Sequence, residues 1–447
     1  MSERLLTSRT KRLIAWLDER LLISPLVAKA QRSINFALPS TLARQNKSRV
    51  FWLTYPFYYA GAITALLAIL QGITGLLLAF NYVPSAVGEP GTPTQAYLSV
   101  QNIMRTVPLG ALVRGIHQWG ANLLVAALAV HAFWAFFRSP YRLGRELTWV
   151  LGVILLGLAL GYSFSGYLLP WDQLGYWAAT ISIQIMKAIP LLGESMVQLL
   201  LGGTSLTPDT LARFYFYHVS LLPGVALILV GAHLVLVILQ GVSEPEEAWK
   251  SKAGKLEPPL FGPFFPQQIT PVLTVSLVTL GVVLLLGAYA VQMPGEPANK
   301  FLTPRFIIPE WYFLWAYGLL KWVGWIYDLA HFVPPSSIFG VDLVSAKVVG
   351  ILLAAGMFII LLLLPVIDRG KEARALQRPL KTAAGIWAIG FLVTLTLYAL
   401  NEILSADLSI PIDRMNFILG SIVVLGPLVA AVPAYVVLRH RVSAKMH

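Results

Sequence analysis

The stretch IHQWGANLLVAALAVH, Ile116 to His131, decides the fold. It carries two histidines fourteen residues apart with no charge between them, on a run that with its apolar flanks reaches the roughly 20 residues that cross a bilayer. Ionisable side chains are costly inside a membrane, so an imidazole at each end of such a segment points to a function.

Comparable runs lie on both sides of it. Apolar stretches at 54–80, 113–137, 147–169, 214–240, 269–291, 346–366, 383–401 and 415–438, here segments A to H, predict an all-α polytopic membrane protein with eight transmembrane helices. With 57% hydrophobic and 12% charged residues and a mean hydropathy of +0.71, a water-soluble domain is excluded. Residues 1–53, the B/C, D/E and F/G connections and the C-terminal tail hold 24 of the 33 Lys and Arg. The positive-inside rule therefore puts both termini in the cytoplasm and turns the A/B, C/D, E/F and G/H connections outward. The net charge of +12 then reflects topology and attraction to anionic lipid, with no role for nucleic acid.

Three regions follow. Residues 1–50 lack a signal-peptide pattern, and KRLIAWLDERLLISPLVAKA within them reads as an amphipathic segment lying on the cytoplasmic membrane surface. Residues 51–245 hold segments A to D, a four-helix bundle, and residues 246–447 hold segments E to H. The chain has no cysteine, which excludes disulfides, thiolate ligands and thioether-attached haem.

Segment D contains RFYFYHVSLLPGVALILVGAH, with His218 and His233. At about 100° and 1.5 Å per residue, fourteen residues bring the second side chain to about 40° short of the first and about 21 Å along the axis, while fifteen overshoot by about 60°. Segments B and D run in the same direction, so His117 is expected to meet His218 near the outer face and His131 to meet His233 near the inner one. Paired imidazoles in hydrocarbon suit haem iron better than zinc, which takes three or four ligands; the alternative is four unrelated polar histidines. Gly61 and Gly75 on segment A, and Gly152 and Gly166 on segment C, repeat the interval of fourteen. Notches without Cβ would let a haem plane lie against each helix, although small residues also serve ordinary helix packing. Arg114 and Arg213 stand at the outer mouths of B and D, as propionate partners or as snorkelling side chains. In the E/F connection, PEWYFLWAYGLLKW (309–322) sets Glu310 among aromatic residues, where a quinol losing two electrons would need a proton acceptor. An interfacial aromatic belt would look the same.

Taken together, the histidine pairs, the glycine ladder, GYLLPWDQLGYWAA after segment C, RFYFYH and the PEWY motif closely resemble cytochrome b, the membrane subunit of quinol-oxidising bc1-type and b6f-type complexes. The resemblance runs over nearly the whole chain. It implies a low-potential outer haem b on His117 and His218 and a high-potential inner haem b on His131 and His233, with the four glycines as packing notches. It further implies a quinol oxidation site lined by Glu310, Tyr312, Tyr317, Tyr167 and the segment 170–178, a quinone at the inner face, and proton release outside. The implied partners are a Rieske iron-sulfur protein, a c-type cytochrome or a substitute acceptor, and a second copy of the chain.

Departures from the family's two main branches are informative. The fifteen-residue interval on segment D, PWDQLGYW and QGVSEP look like the b6f type, whereas the unbroken chain and segment H look like the mitochondrial type. The mixture implies a bacterial or archaeal plasma-membrane complex. Tyr59 stands where the b6f type has the cysteine for an extra haem, so no covalently attached haem is expected. Ile238 and Trp134 replace a His and an Arg of the mitochondrial inner face, where Arg138, Lys250 and Lys252 are the available cations. His331, His440 and His447 need no function. A di-haem membrane anchor of another respiratory enzyme and a secondary transporter are the rival readings. The first has no use for the PEWY loop or four extra helices, and the second would put ionisable residues in broken helices near the midplane. Here the histidines lie at two depths in unbroken segments, and no Asp or Glu lies deep in segments A to D.

Overall fold

The computed structural model describes residues 56–87, 92–141, 144–240, 269–330, 345–368 and 375–444. The expected N-terminal surface helix, Lys250, Lys252, His331, His447 and most of QGVSEP lie outside them. The order of helices is α1 (Ala60–Ala79), α2 (Gln95–Arg105), α3 (Gly110–Arg138), α4 (Glu146–Tyr167), α5 (Gln173–Lys187), α6 (Gly193–Leu201), α7 (Pro208–Phe216), α8 (Leu222–Gln240), α9 (Ile269–Tyr289), α10 (Leu314–Leu329), α11 (Ala346–Ile367), α12 (Pro379–Ala399), α13 (Asn401–Asp407) and α14 (Ile412–Ser443). No β-strand occurs among the described residues.

Eight helical stretches are long and apolar enough to span a membrane: α1, α3, α4, the run Pro208–Ile238 formed by α7 and α8, α9, α11, α12 and α14. They match segments A to H. α2, α5, α6 and α10 are shorter helices in the A/B, C/D and E/F connections, and with α13 they mark the face called outer below, following the charge rule; the opposite face is called inner.

α1 packs along α3, and α4 along α8, while α3 touches α4, so the first four spans form one bundle. α9 seats against α3 and α1, and α11 against α4. The α3–α9 crossing is a glycine contact, since a side chain on Gly115 would collide with the carbonyl of Gly287. In membranes, where lipid is as apolar as leucine, such close backbone approach is a main source of helix association. The second half is centred on α12, packed between α10 and α14. Gly318 of α10 faces the carbonyl of Leu395 in the same manner, and Leu319, Val323, Leu395, Tyr398, Met415, Leu419 and Val423 form the core there.

Two polar junctions lock the halves together. On the outer face Asp172 caps α5 through Gly175 N–H (2.9 Å) and accepts a second hydrogen bond from Gly295 N–H (3.1 Å). Gln173 N–H donates to Glu296 C=O (2.8 Å) beside it. Trp171, at φ 50°, turns the chain from α4 into this contact, and the backbone N–H of Ala298 bonds its carbonyl. On the inner face Asp368, at the end of α11, accepts from Tyr141 OH (2.6 Å) and Arg378 Nη1 (2.9 Å) and pairs with Lys381 Nζ at 3.0 Å. Burial would raise the Asp368 pKa, but Arg378, Tyr141 and Lys381 outweigh it and hold the carboxyl well below the usual range.

Candidate functional site

The four histidines fall in two layers, as their spacing predicts, but segment D reaches that arrangement by a different route from the one its sequence spacing suggests. Between α7 and α8 the residues Tyr217–Leu221 form a π-helical turn, in which Leu222 N–H bonds the carbonyl of Tyr217, five residues back. A single π-turn absorbs one extra residue. The fifteen residues from His218 to His233 therefore advance about as far as fourteen residues of regular helix, and the overshoot of about 60° on an ideal helix is removed. His218 lies within the π-turn itself.

In the outer layer the rings of His117 and His218 have centroids 6.3 Å apart and planes at 77°. Two metal–nitrogen bonds of about 2.0 Å plus the distance of roughly 1.1 Å from each ring nitrogen to its centroid give about 6.2 Å, so the pair is spaced for one metal between two imidazoles. Each ring is held from behind. His117 Nδ1 lies 2.9 Å from Thr74 Oγ1, and His218 Nδ1 lies 3.0 Å from Ser165 Oγ. A Cβ on Gly75 would stand 3.2 Å from His117 Cε1, and one on Gly166 only 2.7 Å from His218 Cε1.

The inner layer repeats the glycines: a Cβ on Gly61 would stand 3.1 Å from His131 Cε1, and one on Gly152 3.4 Å from His233 Cε1. Neither inner Nδ1 has a hydrogen-bond partner among the described residues. All four predicted glycines thus meet imidazole edges. This sharpens the expectation of a notch for a haem plane: what the missing side chains make room for, directly, is the ring of the ligand.

The two arginines at the outer mouths make contacts with the protein. Arg114 donates to the carbonyl of Gln292 and lies 3.5 Å from Met104 Sδ, while Arg213 packs its guanidinium over Gly202 at the end of α6. Of the predicted quinol-site residues, Glu310, Tyr312 and Tyr167 come together. Glu310 precedes the 3₁₀ turn Trp311–Phe313. Phe313 sits between Tyr312 and Tyr167, with ring centroids at 5.0 and 6.5 Å, and Phe164 closes the cluster at 6.3 Å from Phe313. Burial first, and the Asp172 charge second, raise the Glu310 pKa; burial and Glu310 do the same for Tyr312. Tyr317 is engaged elsewhere, under Lys321 Nζ at 5.3 Å from its ring and beside Glu402. Asn122 was not anticipated from sequence: its Oδ1 accepts from Trp311 Nε1 at 2.6 Å and ties the 309–322 loop to α3. Nothing in the pattern of segment B distinguishes it from an ordinary polar residue.

Comparison with known proteins gives the family and the fold. The family described as cytochrome b/b6/petB matches residues 48–241, and that described as cytochrome b(C-terminal)/b6/petD matches residues 297–416. A cytochrome b of Rickettsia bellii is 31% identical over 383 residues, 84% of this chain and 82% of that protein. The cytochrome bc complex cytochrome b subunit of Chlorobaculum thiosulfatiphilum is 33% identical over 344 residues, 77% of this chain and 72% of that protein. A solved structure titled hyperthermophilic respiratory Complex III superposes with a TM-score of 0.67 at 25% identity, covering 95% of this chain and 99% of that one.

Proposed function

The chain belongs to the cytochrome b family of bc-type complexes, and from that premise we propose that it oxidises quinol near the outer membrane face and returns electrons to a quinone near the inner face. The observation that carries the reading is the outer imidazole pair, 6.3 Å apart and backed by a hydroxyl and a glycine on each side. A metal bound between two neutral imidazoles needs a free Nε2 on each ring and room for the rings; a hydrogen bond to Nδ1 orients the ring further. The residues present fit b haem. His117 with His218, and His131 with His233, would hold two of them, which when bound supply reversible one-electron stations joining the two faces of the membrane.

Everything else is done by the chain. Each quinol oxidised yields two electrons and two protons. One electron leaves to a Rieske iron-sulfur partner and on to a c-type cytochrome or substitute acceptor, and the other is destined for the inner quinone. Glu310 is placed to accept a proton: its raised pKa makes its carboxylate the stronger base, and Tyr312 and Tyr167 stand beside it to orient a quinol hydroxyl. The aromatic cluster of Phe164, Tyr167, Tyr312 and Phe313 keeps water from the ring face. Release of both protons outside, with electrons moving inward, would charge the membrane. The cytoplasmic termini, a homodimeric assembly and a bacterial or archaeal plasma-membrane location belong to the same proposal.

The test is a dithionite-reduced minus ferricyanide-oxidised spectrum of the purified chain, with haem counted per polypeptide. Two b-type haems are expected. A folded chain made with haem available that binds none would overturn the reading.

A further inference from the structure

The two histidine layers differ in one chemical respect. Thr74 and Ser165 are buried, at 4% and 3% exposure. Their hydroxyl protons are already committed to helix carbonyls four residues back, Thr74 Oγ1 to Leu70 O at 2.7 Å and Ser165 Oγ to Gly161 O at 2.9 Å. A hydroxyl has one proton to give, so each oxygen is left to accept, and the N–H must belong to the histidine Nδ1. That fixes the tautomer in which Nε2 carries the free lone pair. Donation to the carbonyl also makes each hydroxyl a better acceptor. Both hydroxyl residues stand immediately before the notch glycines, as Thr74-Gly75 and Ser165-Gly166. In the inner layer the same positions are Ala60-Gly61 and Leu151-Gly152, which can offer no such acceptor, and both Nδ1 atoms lack a partner among the described residues. The backbones of Tyr162, near His218, and Thr148, near His233, stand in matching places in the two layers, so they do not distinguish them; the hydroxyls do.

We propose that Thr74 and Ser165 are positioning residues that tune the outer haem to the lower potential by accepting the Nδ1–H of His117 and His218. The proposal rests on the haem reading above. An imidazole whose Nδ1–H is donated to an acceptor is a more basic ligand; a more basic ligand favours ferric over ferrous iron, and ligand hydrogen bonding is one of the levers a protein has on potential. Arg114, three residues before His117 in the sequence, is a positive charge that would act in the opposite direction, so only substitution of the hydroxyls separates the two effects.

The experiment is a redox titration of the b-haem absorbance of the intact complex, resolved into its two components, for native protein and for Thr74→Val, Ser165→Ala, the double variant, Thr74→Ser and Ala60→Ser. The outer component should shift upward in the first two variants and further in the double one, with the inner component unmoved. Thr74→Ser, which keeps the hydroxyl, should titrate as native. Ala60→Ser, which puts a hydroxyl at the matching inner position, should lower the inner component. An unmoved outer component in the double variant with both haems bound, an equal shift of both components, or a Thr74→Ser shift as large as that of Thr74→Val would overturn the proposal. So would loss of the outer haem from Ser165→Ala, which would leave the hydroxyls a purely structural part. Native complex without any b haem would instead refute the underlying reading.

Discussion

The outer and inner histidine layers are built from the same residue types on the same four spans, yet they are held to different degrees. In the outer layer each ring is fixed from behind by a hydroxyl, and the nearer glycine leaves a virtual Cβ only 2.7 Å from a ring carbon. In the inner layer neither Nδ1 is bonded among the described residues, and the looser glycine gives 3.4 Å. Symmetric ligand chemistry therefore sits in an asymmetric protein shell. The shell is where one helix bundle can make two chemically distinct sites.

The largest effect should come from removing one ligand. His131→Leu is expected to abolish the inner haem and spare the outer one, halving the haem count per chain in a reduced-minus-oxidised spectrum. Loss of both would mean that the layers are not independent, and retention of both would break the assignment of His131. Glu310→Gln sharpens the comparison from the outer side, where the proton acceptor stands. General-base losses are about 10²-fold or more, and quinol oxidation should fall on that scale while both haems remain. Because burial and Asp172 raise its pKa, native activity should climb with pH through that raised value as Glu310 loses its proton. The variant should lack this limb, and an identical profile in both proteins would remove Glu310 from the reaction.

The spans were legible in the sequence because a bilayer imposes a length and a composition: segment E was expected at 269–291, and α9 runs from Ile269 to Tyr289. The histidine and glycine layers were legible because helical periodicity repeats them. The π-turn was not, since fifteen residues are compatible with either a rotated ligand or an absorbed residue, and only the backbone decides. Segment D also begins earlier than hydropathy indicated, at Pro208 rather than 214, because Thr207 N–H bonds Thr210 Oγ1 and a proline fits the first turn of a helix. Thr74 and Ser165 escaped for another reason. A lone hydroxyl in a membrane helix usually bonds its own backbone, and these do so as well; the histidine contact spans 43 and 53 residues of sequence. Tyr317 was grouped with the quinol site by the family resemblance; in the structure its ring lies under Lys321 Nζ, four residues on in α10.

The junctions between the two halves repeat the outer-inner contrast in stability. Asp172 accepts from two neutral backbone N–H groups, whereas Asp368 compensates Arg378 and Lys381 with a side chain only 4% exposed. Asp172→Ala leaves neutral donors unpaired, at about 1–3 kcal/mol. Asp368→Ala removes a buried carboxylate from two half-buried cations and takes the acceptor from the Tyr141 hydroxyl, at about 3 kcal/mol or more. Thermal unfolding in detergent should rank them in that order. The folded Asp368 pKa is depressed, so its contribution is present above the ordinary carboxylate pKa of about 3.9 and is lost as pH falls below it. Equal costs for the two variants would show that the inner cluster is no more than another cap.

The smallest effect separates the layers most finely. Gly166→Ala and Gly152→Ala add the same methyl group to the same helix, α4, one beside each ligand ring of α7–α8. At 2.7 Å the first methyl cannot be accommodated unless the His218 ring shifts, and that ring is bonded to Ser165 on the neighbouring residue and carried by a π-turn. At 3.4 Å the second is in ordinary van der Waals contact with His233, whose Nδ1 has no hydrogen bond to break. Overpacking costs about 1–3 kcal/mol where neighbours cannot yield. Gly166→Ala should therefore weaken retention of the outer haem, measured as loss on dilution or mild heating, while Gly152→Ala keeps the inner haem at native levels. The same experiment on Gly166→Ala combined with Ser165→Ala is decisive about the cause: freeing the His218 ring from its hydroxyl should restore part of the lost retention if the hydrogen bond is what prevents the ring from moving aside, and should deepen the loss if the backbone alone does.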